Sequence, residues 1–97
     1  MVEVRQTPAF QKWFTGLKDE VARSRIAIRI RRLSLGNFGD AKSVGGRVFE
    51  LRIDHGPGYR VYFTRRGTEI VILLAGGDKK SQERDIERAR KLALEVD

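Results

Sequence analysis

Five consecutive turn-forming residues, Asp54-His55-Gly56-Pro57-Gly58, divide two segments whose side chains alternate in polarity, and this arrangement narrows the possible folds most. Before the turn, Phe49, Leu51 and Ile53 alternate with Glu50, Arg52 and Asp54. After it, a strand over Tyr59 to Arg65 alternates in the same way. A hairpin centred on Gly56 pairs Ile53 with Tyr59, Leu51 with Val61 and Phe49 with Phe63, gathering every apolar residue on one side. A slip by one residue would turn that set toward solvent, so the pattern specifies the register. The same register sets Arg52 opposite Arg60 and Glu50 opposite Tyr62 on the other face.

The remaining elements follow from periodicity and caps. Val2 to Gln6 alternates and predicts a short strand. Thr7-Pro8 starts a helix, with Phe10, Trp13, Phe14 and Leu17 on its core face and Gly16 at its end. Asp19 caps a second helix running to about Leu35, with Ala22, Ile26, Ile30 and Leu33 inward and Gly36-Asn37 as the stop. Residues 36–46 read as a glycine-bearing loop. Glu69 to Ala75 is a third hairpin-linked strand, apolar on both faces and therefore expected between layers. Gly76-Gly77-Asp78 ends it, and Ser81 is expected to cap a last helix whose apolar face is Ile86, Ala89, Leu92, Ala93 and Val96. The order β-α-α-β-β-β-α implies an α+β fold: a small, mostly antiparallel sheet with a helical hairpin and a C-terminal helix, in a single domain over 1–97.

Composition then limits the chemistry. The chain has no cysteine and one histidine, His55, so neither a disulfide framework nor a metal centre is expected, and no cofactor. The longest apolar run, Ile70 to Ala75, is too short to span a membrane, and the N-terminus lacks a secretory pattern, so a cytoplasmic location is expected. A net charge of +7 on 97 residues points to a polyanionic partner. Arg25, Arg29 and Arg32 line one side of the second helix and are candidates for gripping RNA phosphates, as is Lys80.

The hairpin supplies the sharpest functional inference. Two arginines directly opposite on a sheet, with Cβ atoms about 5 Å apart, repel each other, and folding alone gives no reason for the pair. A phosphate accepting both guanidinium forks does give one; neutralisation by Glu50 or Asp54 is the alternative. Tyr62, on the same face, is a candidate donor or stacking ring, and Lys79 after the last strand can converge on the same place. No Ser-His-Asp or Cys-His set exists, and no inward-facing carboxylate pair is evident. A ribonuclease built this way uses the RNA 2′-hydroxyl as nucleophile, with the protein orienting it and stabilising phosphorane charge.

Glu50-Leu51-Arg52-Ile53-Asp54, Gly56-Pro57-Gly58-Tyr59-Arg60-Val61-Tyr62-Phe63 and Leu74-Ala75-Gly76-Gly77-Asp78-Lys79 resemble, in order and spacing, the RelE/ParE toxin superfamily, nearest its HigB-like "addiction module killer protein" branch. The resemblance implies a microbial-ribonuclease-like fold and a type II toxin that cleaves ribosome-bound mRNA without metal. It also implies neutralisation by a cognate, HigA-like helix-turn-helix antitoxin, with operator DNA contacted only through that antitoxin. By the same resemblance Arg60 contacts the scissile phosphate, Arg52 and Lys79 are basic site positions, and Asp85 stands where some members carry a tyrosine. Two rival readings accompany it: a ParE-type gyrase inhibitor without nuclease activity, and a catalytically inactive antitoxin-binding module.

Overall fold

The structure, a computed structural model, describes residues 1–96. Its elements are β1 (Glu3–Gln6), α1 (Pro8–Thr15), α2 (Glu20–Ser34), β2 (Lys42–Gly45), β3 (Val48–Ile53), β4 (Tyr59–Arg66), β5 (Ile70–Gly77), a 3-10 turn (Lys79–Ser81) and α3 (Gln82–Glu95). The expected α+β fold is present, with one strand more than the sequence pattern indicated. Residues Lys42–Gly45, within the expected loop, pair antiparallel with β3 at the sheet edge. That strand carries a single large apolar residue, Val44, so it has no alternation to betray it; the ladder to β3 makes it a strand.

The five strands lie in the order β1-β5-β4-β3-β2. β1 runs parallel to β5, and the other neighbours are antiparallel. The β3–β4 register is the one the turn dictated: Ile53 opposite Tyr59, Leu51 opposite Val61, Arg52 opposite Arg60 and Glu50 opposite Tyr62.

Both faces of the sheet are covered. On one, α1 and α2 pack Phe10, Ile26 and Leu33 against Leu51, Ile53, Val61, Phe63, Val71 and Leu73. Each such burial contributes roughly 1.5–3 kcal/mol, which is why the helical and alternating patterns had to meet on this side. On the other, Ala89 and Ala93 of α3 close over Val48, Tyr62, Ile72 and Leu74. Small alanines let the helix approach the strands closely.

A bulge in β5 adjusts this two-sided packing. Tyr62 pairs with Ala75 but Phe63 pairs with Leu73, leaving Leu74 as the extra residue. The Leu74 carbonyl, displaced from the ladder, accepts from the Thr7 hydroxyl at 2.6 Å. That hydroxyl also caps α1, accepting from Phe10 N at 3.1 Å, so one side chain fixes the start of the helix against the bulge. Past the bulge the two glycines face opposite ways. A Cβ on Gly76 would lie 2.2 Å from the Trp13 ring, and one on Gly77 1.8 Å from Asp85 Oδ2. Both are glycines because a side chain from α1 and another from α3 lie directly on the backbone.

The cap at the last helix differs from expectation. Asp78 rather than Ser81 closes the turn, its carboxylate accepting from Lys80 N at 2.9 Å and Ser81 N at 3.2 Å. The Ser81 hydroxyl instead donates to Asp85 Oδ2 at 2.5 Å. A 3-10 turn inserted before α3 moves the free amides one step earlier than the sequence reading placed them.

Candidate active site

The C-terminal end of β3, the start of β4 and the turn after β5 meet around a cleft of about 360 Å³. Arg52, Arg60 and Lys79 all line it, together with Arg29 from α2. Three of the four residues expected to act on the phosphate therefore converge.

The cross-strand arginines are held by the protein's own carboxylate. Glu50 is fully buried, and its Oε1 accepts from Arg52 Nε at 2.9 Å and from Arg60 Nη1 at 2.8 Å. Its Oε2 accepts from Gln82 Nε2 at 3.0 Å. Like charges opposite one another are thus reconciled by an anion inside the fold, which was the alternative the sequence left open. The arginines differ in exposure: the Arg60 side chain is 9% exposed and that of Arg52 48%. Arg60 is a fixed wall of the cleft, whereas Arg52 reaches from a buried anchor into solvent.

Tyr62 departs from expectation. It is 0% exposed beneath α3, so its ring reaches neither solvent nor the cleft. Burial first, then the nearby charges of Glu50 and Asp85, push its hydroxyl well above the ordinary phenol range, and it stays neutral. The sequence placed it on an open face because strand alternation does not reveal that α3, which begins twenty positions later at Gln82, would cover that face. Tyr59, on the apolar side of the hairpin, lines the cleft instead, its ring edge-on to Trp13 at 6.3 Å.

The helix arginines stay together but differ in what they bond. Arg25, Arg29 and Arg32 share a shallow groove beside the hairpin. Arg29 spends its guanidinium on the fold, donating to the Arg52 carbonyl at 2.8 Å and to Asp40 Oδ1 at 2.5 Å. Those contacts hold the Asp40 carboxyl below its usual range, mainly through the hydrogen bond and then through the charge of Arg29. Lys80 lines a neighbouring depression that shares Lys79 with the cleft and is completed by Ser81, Gln82, Glu83 and Arg84. His55 leaves the turn to meet Asp19 Oδ2 at 3.0 Å, joining the hairpin to the N-cap of α2.

Sequence reasoning missed a buried polar group behind the arginines. Glu50 and Asp85 are both buried carboxylates on the α3 side, a burial the sequence did not mark. Arg60 Nε and Tyr62 OH are buried there without a partner among the described residues. Each unsatisfied group costs about 1–3 kcal/mol, so this is an expensive way to support a sheet. The signal that pointed there was Glu50 opposite Tyr62 in the register; what it lacked was the lid of α3. Asp40 had no signal, since a loop carries no period, and Tyr59 was legible only as the apolar partner of Ile53 in the register.

Comparison with known proteins adds four findings. Residues 12–94 match the family described as phage-derived protein Gp49-like. An uncharacterized protein of Haemophilus influenzae is 48% identical over 95 residues, spanning 98% of this chain and 96% of that protein. Among solved structures, a substituted form of the E. coli toxin RelE in the free state superposes with a TM-score of 0.70 at 12% identity, over 90% of this chain and 96% of that one. A conserved hypothetical protein of Helicobacter pylori, HP0894, gives a TM-score of 0.56 at 18% identity, over 82% of this chain and 97% of that one. At these identities the two structures speak for a shared backbone architecture.

Proposed function

From the chain's membership of the phage-derived Gp49-like family and its RelE-like fold, we propose that it is the toxin of a bacterial type II toxin–antitoxin pair, a metal-independent endoribonuclease acting on mRNA held in the ribosome. The observation that carries this reading is the convergence of Arg52, Arg60 and Lys79 on one cleft, braced from behind by buried Glu50. A buried charged cluster that apolar side chains of the same volume could replace without loss of stability is retained for what it positions.

In the proposed reaction the substrate's 2′-hydroxyl attacks the adjacent phosphorus and the P–O5′ bond breaks, giving a 2′,3′-cyclic phosphate and a free 5′-hydroxyl. Arg60 and Arg52 take the non-bridging oxygens as charge builds on them. Lys79 delivers the proton to the departing 5′-oxygen. Asp40 and Asp54 are the carboxylates lining the cleft that can receive the 2′-hydroxyl proton. Asp40, held ionised by Arg29, is a weak base. Chemistry this modest depends on alignment supplied from outside, which is the role given to the ribosome. Tyr59 takes the base-stacking part first assigned to Tyr62. Arg25, Arg32 and Lys80 contribute phosphate contacts away from the reacting atoms. A HigB-like placement, a HigA-like antitoxin that alone touches operator DNA, and action in the cytoplasm complete the reading.

One observation favours a non-catalytic alternative: Glu50 already occupies the space between the two arginines, as it would in a module that only binds a partner. Induction of the chain without antitoxin, with transcriptome-wide mapping of RNA 5′ ends, separates the two. New ends in codon register that vanish on blocking translation, and that Arg60→Ala abolishes, support the nuclease. Growth arrest with intact mRNA and accumulated cleaved DNA would replace it with a gyrase inhibitor, and unimpeded growth with the binding module.

A further inference from the structure

Among the large apolar side chains left in solvent, two fall on one line of α2 and a third continues that line at the helix's C-cap. Val21, Ile28 and Leu35 are 53%, 51% and 59% exposed. They recur every seven residues, with Arg25 and Arg32 interleaved at the next turn after the first two. A seven-residue repeat drifts only about 20° per heptad on a straight helix, so the three share one seam. The inward face of α2 is separately satisfied by Ala22, Ile26 and Leu33, all at 0% exposure. The fold therefore has no use for the outer seam. Beside it runs a groove of about 310 Å³ that contains Arg25, Ile28 and Arg32 and shares Arg29, Ile53 and Asp54 with the cleft.

We propose that this outer face of α2 seats an amphipathic helix of a partner protein, aliphatic along its contact line and acidic on its flank. We further infer that the seated helix overhangs the cleft. Aliphatics seven residues apart fill one of the two apolar positions per heptad of a helix-to-helix seam, the other being held here by Ser24 and Arg31, so the partner helix supplies the rest of the apolar contact line. Nucleic acid has no use for it, because Val21, Ile28 and Leu35 offer neither charge nor an aromatic plane for a base. A second copy of the chain is disfavoured by charge: it would bring Arg25 and Arg32 of both chains into one seam, on a protein already at +7. An acidic flank turns the same arginines into attractions. The overhang rests on the nuclease-cleft reading; the seat does not.

The test titrates the full chain, labelled with ¹⁵N, with a synthetic helix of about 18 residues bearing leucine at a and d positions and glutamate at e and g. Amide shifts along Val21, Arg25, Ile28, Arg32 and Leu35 are expected, with affinity falling as salt rises and no binding by the version with lysine for glutamate. Val21→Ser/Ile28→Ser/Leu35→Ser should weaken the helix by about tenfold or more while leaving affinity for a short single-stranded RNA within about twofold. No binding, or shifts mapping elsewhere, overturns the proposal. So does a triple variant that loses RNA in step with the helix, which would assign the face to nucleic acid, or one that abolishes a concentration-dependent dimer, which would assign it to a second copy. Competition between helix and RNA on the wild type supports the overhang, and simultaneous binding refutes it. Should Arg60→Ala bind RNA like the wild type, the cleft reading fails while the helix titration stands unchanged.

Discussion

Replacing Glu50 by glutamine keeps the side chain's shape and removes its charge, and the structure fixes what that should cost. The carboxylate is fully buried with three donors on it: Arg60 Nη1, Arg52 Nε and Gln82 Nε2. The two arginines do not weigh equally. Arg60, with a side chain 9% exposed, has little water to turn to, and losing a charge-assisted bond of this kind costs about 1.5–3 kcal/mol. Arg52, half in solvent, rehydrates, so its share is at most about 1 kcal/mol. The amide also presents an N–H₂ where donors already crowd. The total is about 3 kcal/mol, a large fraction of the roughly 5–15 kcal/mol that holds a domain together. With a urea slope near 1 kcal/mol/M, the denaturation midpoint should fall by about 3 M. Double-mutant cycles divide the effect: coupling of Glu50 with Arg60 should be about 2 kcal/mol, and with Arg52 below about 1 kcal/mol. A loss under about 1 kcal/mol for Glu50→Gln, or equal couplings to both arginines, would refute the claim that the carboxylate is an internal brace differing in its grip on the two.

Further outcomes can be checked on the same protein. Gly77→Ala should destabilise by about 2 kcal/mol or more, because its methyl would meet Asp85, and adding Asp85→Ala should restore much of the loss in thermal melts. Gly76→Ala should behave likewise toward Trp13, with relief from Trp13→Leu; no relief would mean the contacts are not what forbids a side chain. Asp19 has a carboxyl lowered below 3.8, chiefly by capping Ala22 N and then by His55, so its stabilising contribution is complete above about pH 4 and is lost as pH falls through the lower folded value. Asp19→Asn keeps a capping oxygen without the titration and should lose less stability than the wild type between about pH 5 and 2; equal losses would contradict the assignment. Tyr62→Phe removes a buried hydroxyl without a partner among the described residues, and should leave RNA cleavage intact while keeping or raising stability; a cleavage-dead variant would return Tyr62 to the reaction.

What could be read from the sequence followed from strict periodicity. The turn at Gly56 and the alternation around it specified the Arg52–Arg60 and Glu50–Tyr62 pairings, because register in a half-buried hairpin has one solution that gathers the apolar side chains. Thr7 and Asp19 were legible as caps because capping is local chemistry. Long-range coverage was not legible. Whether Tyr62 faces water depends on α3 crossing above it, and whether Arg29 is free depends on Asp40 arriving from a loop without a pattern. The strand β2 escaped for a related reason, since only its ladder to β3 distinguishes it from coil. The cleft residues were thus identified by type and strand position, while their support from behind belonged to tertiary structure.

The parallel pairing of β1 with β5 also has a consequence for synthesis order. Glu3 stands opposite Ile70, and the Thr7 hydroxyl reaches a carbonyl 67 residues away. The earliest strand to leave a ribosome must therefore wait for the last one before it has a neighbour, a closure that makes folding depend on distant contacts. Lys79 lies beyond that last strand, and Glu50, which holds Arg60 and Arg52, gains its Gln82 partner only when α3 arrives. A partly made chain cannot hold the cleft together, so whatever the cleft does begins only once the C-terminal helix has left the ribosome.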